Sequence, residues 1–303
     1  MRAYSLAPPG DPTDGPARTE IALDGALETA RDTTPVLVTD ALQELGWLDR
    51  FTDLFLGGIA ALASADAVDD LRARGLQHLH EHLAPDAVAR LIADLDARLR
   101  RFANPLAIDI VTATAPDLGP RYYIGQRVFV RAQVPYPMLA EYPDLATAGH
   151  LAGHLRPTGR HRDVDLTHPV GSVSLWAALA PVQAGNSIEI VVDHDQAPVV
   201  PTFAPGDLCL FQSDSVHASV ENHTNETRVS VGVRVLASTH LRYGPGNHWR
   251  PYADARLLGT PLASLATVRS RCTSAALRRW RFRRRWEREQ RVAGRPETPS
   301  LKR

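Results

Sequence analysis

In Gly159-Arg160-His161-Arg162-Asp163 a histidine and an aspartate stand two positions apart, in a stretch that reads as extended. Side chains of a strand alternate between faces, so His161 and Asp163 project to one side while Arg162 points away. A nitrogen and a carboxylate oxygen then converge on one point. A second histidine from another strand, on the same face, would complete a two-histidine, one-carboxylate set with coordination positions left open for substrate and oxygen. His217 is the candidate third ligand, 56 positions on, after the turn Pro205-Gly206-Asp207 and the apolar run Leu208-Cys209-Leu210-Phe211.

Ten residues further, Thr227-Arg228-Val229-Ser230-Val231-Gly232-Val233-Arg234 reads as another strand. Arg228, Ser230, Gly232 and Arg234 share one face, and the valines share the other. A guanidinium turned into a protein interior needs an anion to offset its desolvation. A carboxylate gripped bidentately by Arg228, with Ser230 as a further donor, meets that need. The competing placement puts this polar face in solvent.

These residues need a scaffold of strands. From Asp40 to about Ala103 apolar residues recur at helical spacing, with Leu42, Leu45 and Leu48, a run at 54–62, and Val88, Leu91, Ile92, Leu95 and Leu99 after Pro85-Asp86. After Pro105 the period changes to two, and 107–111, 122–133, 172–179, 187–192, 199–203, 208–211, 217–221 and 228–236 read as strands separated by turn residues. The expected fold is mostly β with flanking helices: a double-stranded β-helix, or cupin-like jelly roll, behind an N-terminal helical region. The expected organisation is a flexible leader or lid at 1–34, rich in Pro and Gly, a helical support region at 35–104, a jelly-roll core at 105–240, and a loop and basic helical tail at 241–303.

Composition narrows the chemistry. Of 303 residues 44% are hydrophobic and 22% charged, ordinary for a folded globular protein, which excludes disordered, collagenous and coiled-coil classes. The net charge is zero but polarised: residues 269–303 carry 13 basic residues against Glu287, Glu289 and Glu297, so residues 1–268 are net acidic. Lys302 is the only lysine, which argues against a Schiff-base or phosphate-loop lysine. Two cysteines, Cys209 and Cys272, are too few for a disulfide framework or thiolate zinc site. No apolar stretch approaches the roughly 18 residues of a membrane span, and no signal pattern opens the chain, so a cytoplasmic location is expected.

At this point the residues resemble a family, the iron(II)- and 2-oxoglutarate-dependent oxygenases. The likeness lies in His161-x-Asp163, His217 and Arg228-x-Ser230, with Arg228 placed 11 residues after the second histidine. Within that family the chain is similar to the phytanoyl-CoA dioxygenase-like branch, especially members from antibiotic and aminocyclitol tailoring pathways, through Gly171-Ser172-Val173-Ser174-Leu175-Trp176-Ala177-Ala178-Leu179, Asn186-Ser187 and 227–230. The resemblance covers about residues 105–237. It implies that His161, Asp163 and His217 hold Fe(II), that Arg228 and Ser230 bind the distal carboxylate of 2-oxoglutarate, and that O2 is the oxidant. Because Asp163 is present, the site resembles a hydroxylase and not the halogenating members. Arg131 and Gln133 are further candidates for the co-substrate, with Tyr123, Trp176, Asn186 and His150 as candidate substrate contacts. The expected substrate is a small polar secondary metabolite, such as an amino-sugar intermediate drawn to the acidic body, oxidised by hydroxylation, ring closure or epimerisation.

A second reading is a jelly-roll binding module, or an oxygenase acting on protein or RNA, recruited through the tail, where Trp280, Phe282 and Trp286 sit among arginines. The plainer account of that tail is a solvated helix packed on the acidic body, so nucleic acid is not expected as a partner; monomer and homodimer stay open. His78, His80 and His82 resemble a metal cluster but lack a third ligand at a recognisable spacing, and are expected to be structural.

Overall fold

The computed structural model describes residues 1–237 apart from 12–13, 33, 119–121, 126–127, 143–154, 156, 164–170 and 193–195. The expected basic tail and His150 therefore lie outside the described residues. The chain opens with an antiparallel ribbon, β1 (Arg2–Ala7) and β2 (Ala17–Ile21), followed by α1 (Ala26–Arg31), β3 (Val36–Thr39) and α2 (Ala41–Glu44). A helical stretch follows: α3 (Leu48–Ile59), α4 (Ala65–Arg74), α5 (Leu79–His82), α6 (Pro85–Leu99) and α7 (Ala103–Thr114). Then come β4 (Tyr122–Ile124), β5 (Phe129–Gln133), α8 (Tyr136–Ala140), β6 (Ser172–Ala178), β7 (Ile188–Val191), β8 (Leu208–Gln212), β9 (Val216–Ser219) and β10 (Arg228–Ala237).

The helices form where apolar residues recur every three to four positions. In α6, Pro85 occupies the first turn, where its missing N–H costs nothing, and Val88, Leu91, Ile92, Leu95 and Leu99 are buried along one face. That face meets α3, whose Phe51, Phe55 and Ile59 are fully buried, and Trp47 stacks on Phe51 at 5.5 Å between ring centroids while donating its indole N–H to Asp109 at 2.8 Å. Phe51→Ala should cost about 3–5 kcal/mol, because this close-packed cluster cannot collapse around the void; the shift of a urea midpoint at constant slope measures it.

All ladders among the described residues are antiparallel. The main sheet runs β2-β1-β3-β8-β6-β10-β4, with β5 also paired to β10; the second sheet pairs β7 with β9. Alternation divides the main sheet into two faces. Val229, Val231, Val233 and Val235 of β10, with Val130 and Ala132 of β5, face the helices in one core. On the opposite face Leu6, Leu37, Trp176, Ala178, Cys209 and Phe211 pack against Ile188 and Ile190 of the second sheet, with Val199 and Phe203. Two sheets face to face with helices bracing one side make the jelly roll expected from the strand pattern. Burial pushes the Cys209 thiol far up, as befits an inert packing residue.

Several boundaries differ from the sequence expectation. Residues 1–34, expected as a flexible leader or lid, instead contribute β1, β2 and α1. β1 is ordered by pairing with β2 on one side and β3 on the other. The region from 35, expected to be helical, opens with β3, which joins the main sheet beside β8. The run 107–111 lies in α7 and not in a strand; a short apolar run has no intrinsic period, and tertiary packing decided it. The 122–133 segment is two strands, and 199–203 makes only single bridges, Ile190 to Val199 and Val182 to Phe203. No helix among the described residues is long and apolar enough to cross a membrane.

Candidate metal centre

His217 stands on β9, paired across the ladder with Ile190 of β7. On its other side it exchanges two backbone hydrogen bonds with His161, His161 N–H to the His217 carbonyl at 3.0 Å and the reverse at 2.9 Å. That bridge places the two imidazoles side by side, 4.5 Å between centroids. Over 159–163 the chain is thus not a full strand: His161 makes this one bridge and Asp163 lies outside the ladder. The convergence expected from strand alternation is nevertheless achieved, with Oδ1 of Asp163 3.7 Å from His161 Nε2 and 3.8 Å from His217 Nε2. Both separations are less than twice a metal–ligand bond of about 2.1 Å, so one ion can bridge Oδ1 and either nitrogen.

The ligand atoms are prepared electronically. His161 Nδ1 lies 2.7 Å from the Gly159 carbonyl and His217 Nδ1 3.0 Å from the Ser215 carbonyl. A carbonyl only accepts, so each Nδ1 carries the proton and each Nε2 keeps its lone pair for a metal. Burial pushes the His217 imidazole down to about 4, against the opposing pull of Asp163, so it is neutral at physiological pH. Phe211 packs edge-on against its ring at 4.8 Å.

Asp163 is almost fully buried, and its second oxygen is taken up by protein donors. Oδ2 accepts from Arg234 Nε at 2.9 Å, Arg234 Nη2 at 2.7 Å and Ser174 Oγ at 3.1 Å. Arg234 and Ser174 are register partners on β10 and β6, and the guanidinium lies over the Phe129 ring at 4.2 Å. Reasoning from sequence placed Arg234 on the face of Arg228 and Ser230 but gave it no role, and passed over Ser174. The missing signal was the β6–β10 register. Removing only the hydroxyl, Ser174→Ala should weaken metal binding about fivefold, the worth of one modest hydrogen bond of about 1 kcal/mol, as read by equilibrium dialysis.

Beside the triad lies a small cleft, partly open to solvent, with His161, Asp163, His217, Arg131, Trp176 and Ser230 on its walls. Arg131 and Ser230 are register partners, as are Gln133 and Arg228 one step deeper on the same face. Arg228 is fully buried and does not line this cleft. Its Nη1 donates to the carbonyls of Asn186 and Ser187 at 3.1 and 2.6 Å and its Nη2 to Ser219 Oγ at 3.2 Å. The two-pronged grip expected of Arg228 is therefore already engaged by neutral acceptors, leaving only Nε without a partner. Ser230 Oγ and both amide atoms of Gln133 are likewise buried and unpartnered among the described residues. Burial, and then Arg131, push the Arg228 guanidinium down to about 9, while burial and Arg234 lower Arg131 against the opposing effect of Asp163.

The remaining candidates divide. Trp176 lines the cleft and packs on Phe203 at 4.8 Å. Asn186, expected in the pocket, is a structural residue: it forms a capping box with Gln183 and donates to Thr224 Oγ1 at 3.1 Å. Tyr123 stands on β4 opposite Leu236. His78 and His82 are tied to Glu81 and Asp70 at 2.7 Å, and His80 to Thr227 at 2.9 Å. Asp70, Glu81 and His82 do cluster, but Arg74 already bridges both carboxylates, so the group is an ion-pair network.

No protein-family model and no curated protein matches the chain. Solved structures do. The non-heme alpha ketoglutarate dependent epimerase SnoN from nogalamycin biosynthesis shares 16% identity at a TM-score of 0.40, over 79% of this chain and 92% of that one. EctD from S. alaskensis with bound Fe shares 18% at a TM-score of 0.43, over 86% and 93%. The carbocyclase SnoK, also non-heme and alpha ketoglutarate dependent, shares 15% at 0.36, over 55% and 69%.

Proposed function

We propose that this protein is an iron(II)- and 2-oxoglutarate-dependent oxygenase acting on a small polar molecule. The observation that carries the reading is the convergence of His161 Nε2, His217 Nε2 and Asp163 Oδ1 at the wall of a cleft, with every other polar atom of the three side chains directed to a protein partner. His161, His217 and Asp163 would hold iron(II) through these three atoms and leave the cleft side to exchangeable ligands, the ligand set of an oxygen-activating iron site. When bound, iron with 2-oxoglutarate supplies the oxidising chemistry, with O2 as oxidant and succinate and carbon dioxide as by-products.

The chain's own contribution is binding and orientation. Arg131 and Ser230 on the cleft wall, with the buried Gln133 and Arg228 Nε behind them, make a polar group rich in donors and cationic that suits the distal carboxylate of a dicarboxylic acid. Trp176 and the open side of the cleft are left for substrate. Hydroxylation, ring closure and epimerisation begin with the same hydrogen abstraction, and the polar lining of the cleft suits a small polar molecule. The jelly-roll binding module is disfavoured, since a site with no chemistry to do gains nothing from a buried aspartate between two histidine nitrogens.

The test is an anaerobic titration of metal-free protein with iron(II) and 2-oxoglutarate. A weak visible absorption band is expected only when both are present, from chelation of the keto acid. Folded protein that gives no band, and makes no succinate in air, would overturn the assignment.

A further inference from the structure

Asp163 could use either or both of its oxygens on a metal, and the geometry selects one. Two nitrogens of Arg234 and the Ser174 hydroxyl all meet Oδ2, while Oδ1 faces the two Nε2 atoms. We propose that Arg234 is a positioning residue of the metal site, fixing Asp163 as a one-oxygen ligand through Oδ1. The proposal rests on the metal reading above and extends it to a residue that acts on the metal through Asp163.

Arg234 is itself held rigidly. Its Cζ sits 4.2 Å over the Phe129 ring, and it projects from the middle of β10, which is paired on both sides in this sheet. A planar fork delivering two N–H groups to one oxygen has little freedom to release it. The open edge of the ion is thereby kept for exchangeable ligands, since a carboxylate that swung to bind through both oxygens would take one more coordination position.

Cobalt(II), which reports its coordination number by its visible absorption, is the probe, added to the metal-free full-length chain. Arg234→Met should weaken cobalt binding about 10–100-fold, as for other residues that orient metal ligands. It should also alter the visible bands, because Asp163 can then swing to two-oxygen binding. Arg234→Lys, which keeps the charge and one donor, should fall between wild type and Met. In Asp163→Ala, added formate should restore part of the cobalt affinity in a saturable way, as a small carboxylate occupying the vacated place against Arg234. The Asp163→Ala/Arg234→Met double variant should show no such rescue, and the formate arm together with Arg234→Lys decides the matter if Arg234→Met does not fold. Wild-type affinity and spectrum in Arg234→Met, or equal formate rescue with and without Arg234, would overturn the proposal while leaving the metal site standing. Failure of the wild type to bind cobalt or iron would instead overturn the metal reading, and this proposal with it.

Discussion

Asp163→Ala is expected to lower iron(II) affinity by at least about 100-fold, beyond the effect of disturbing a supporting residue, and to abolish succinate formation. A separate effect falls on the metal-free protein. The variant leaves the largely buried Arg234 guanidinium without the carboxylate that two of its nitrogens now contact. Removing one partner of such a pair costs about 3–5 kcal/mol, because the remaining charge stays desolvated. Asp163→Asn keeps the shape and one acceptor oxygen, so it should lose metal nearly as completely while losing less stability. The Asp163→Ala/Arg234→Met pair should be less destabilised than the sum of its single changes, since no stranded charge remains. Denaturant unfolding of the four metal-free proteins measures this coupling. Strictly additive losses would mean that Arg234 and Asp163 do not act as a unit in solution.

The sequence was informative where period and local chemistry agree. The alternation in β10 put Arg228, Ser230, Gly232 and Arg234 on one face, and the valines opposite them are buried against the helices. His161, Asp163 and His217 could be picked out because a metal site demands specific atoms, even though His161 sits in a single bridge and Asp163 lies outside the ladder. What could not be read was whatever depends on pairing between distant segments. Ser174 meets Asp163 only because β6 lies beside β10 in a register that sets it opposite Arg234. Residues 1–34 have a composition too poor in apolar side chains to order alone, yet Ala3 and Leu6 are buried once β1 pairs with β3. The 107–111 run failed for the opposite reason: five mostly apolar residues are compatible with either period, and the helical core claimed them. Arg228 was expected to face the interior, with solvent as the competing placement; it is fully buried, and its immediate partners are main-chain carbonyls that no sequence pattern announces.

Arg228 carries the second large expectation, because it holds the fold together and, in the proposed function, also meets the co-substrate. It reaches from the main sheet to the Asn186 and Ser187 carbonyls and to Ser219 of β9, so it ties the two sheets together beneath the cleft. Arg228→Ala should cost about 3–5 kcal/mol, combining a void with buried carbonyls left unpaired. Arg228→Met, which fills most of the volume, should cost about 1–3 kcal/mol and remain folded. The Met variant then isolates the electrostatic role. Held only by neutral acceptors, the wild-type guanidinium is a buried cation whose charge is best met by an anion arriving beside Nε and Ser230. With metal present, 2-oxoglutarate at 100 times its dissociation constant should stabilise the wild type by about 2.7 kcal/mol. About half of that gain or more should vanish in Arg228→Met, through at least a tenfold loss of 2-oxoglutarate affinity. A keto acid without the distal carboxylate, such as pyruvate, should bind wild type and Arg228→Met with similar weak affinity, because it presents nothing to that polar group. If Arg228→Met weakens both acids equally, the arginine acts only through the fold, and the carboxylate contact passes to Arg131 and Ser230 on the cleft wall.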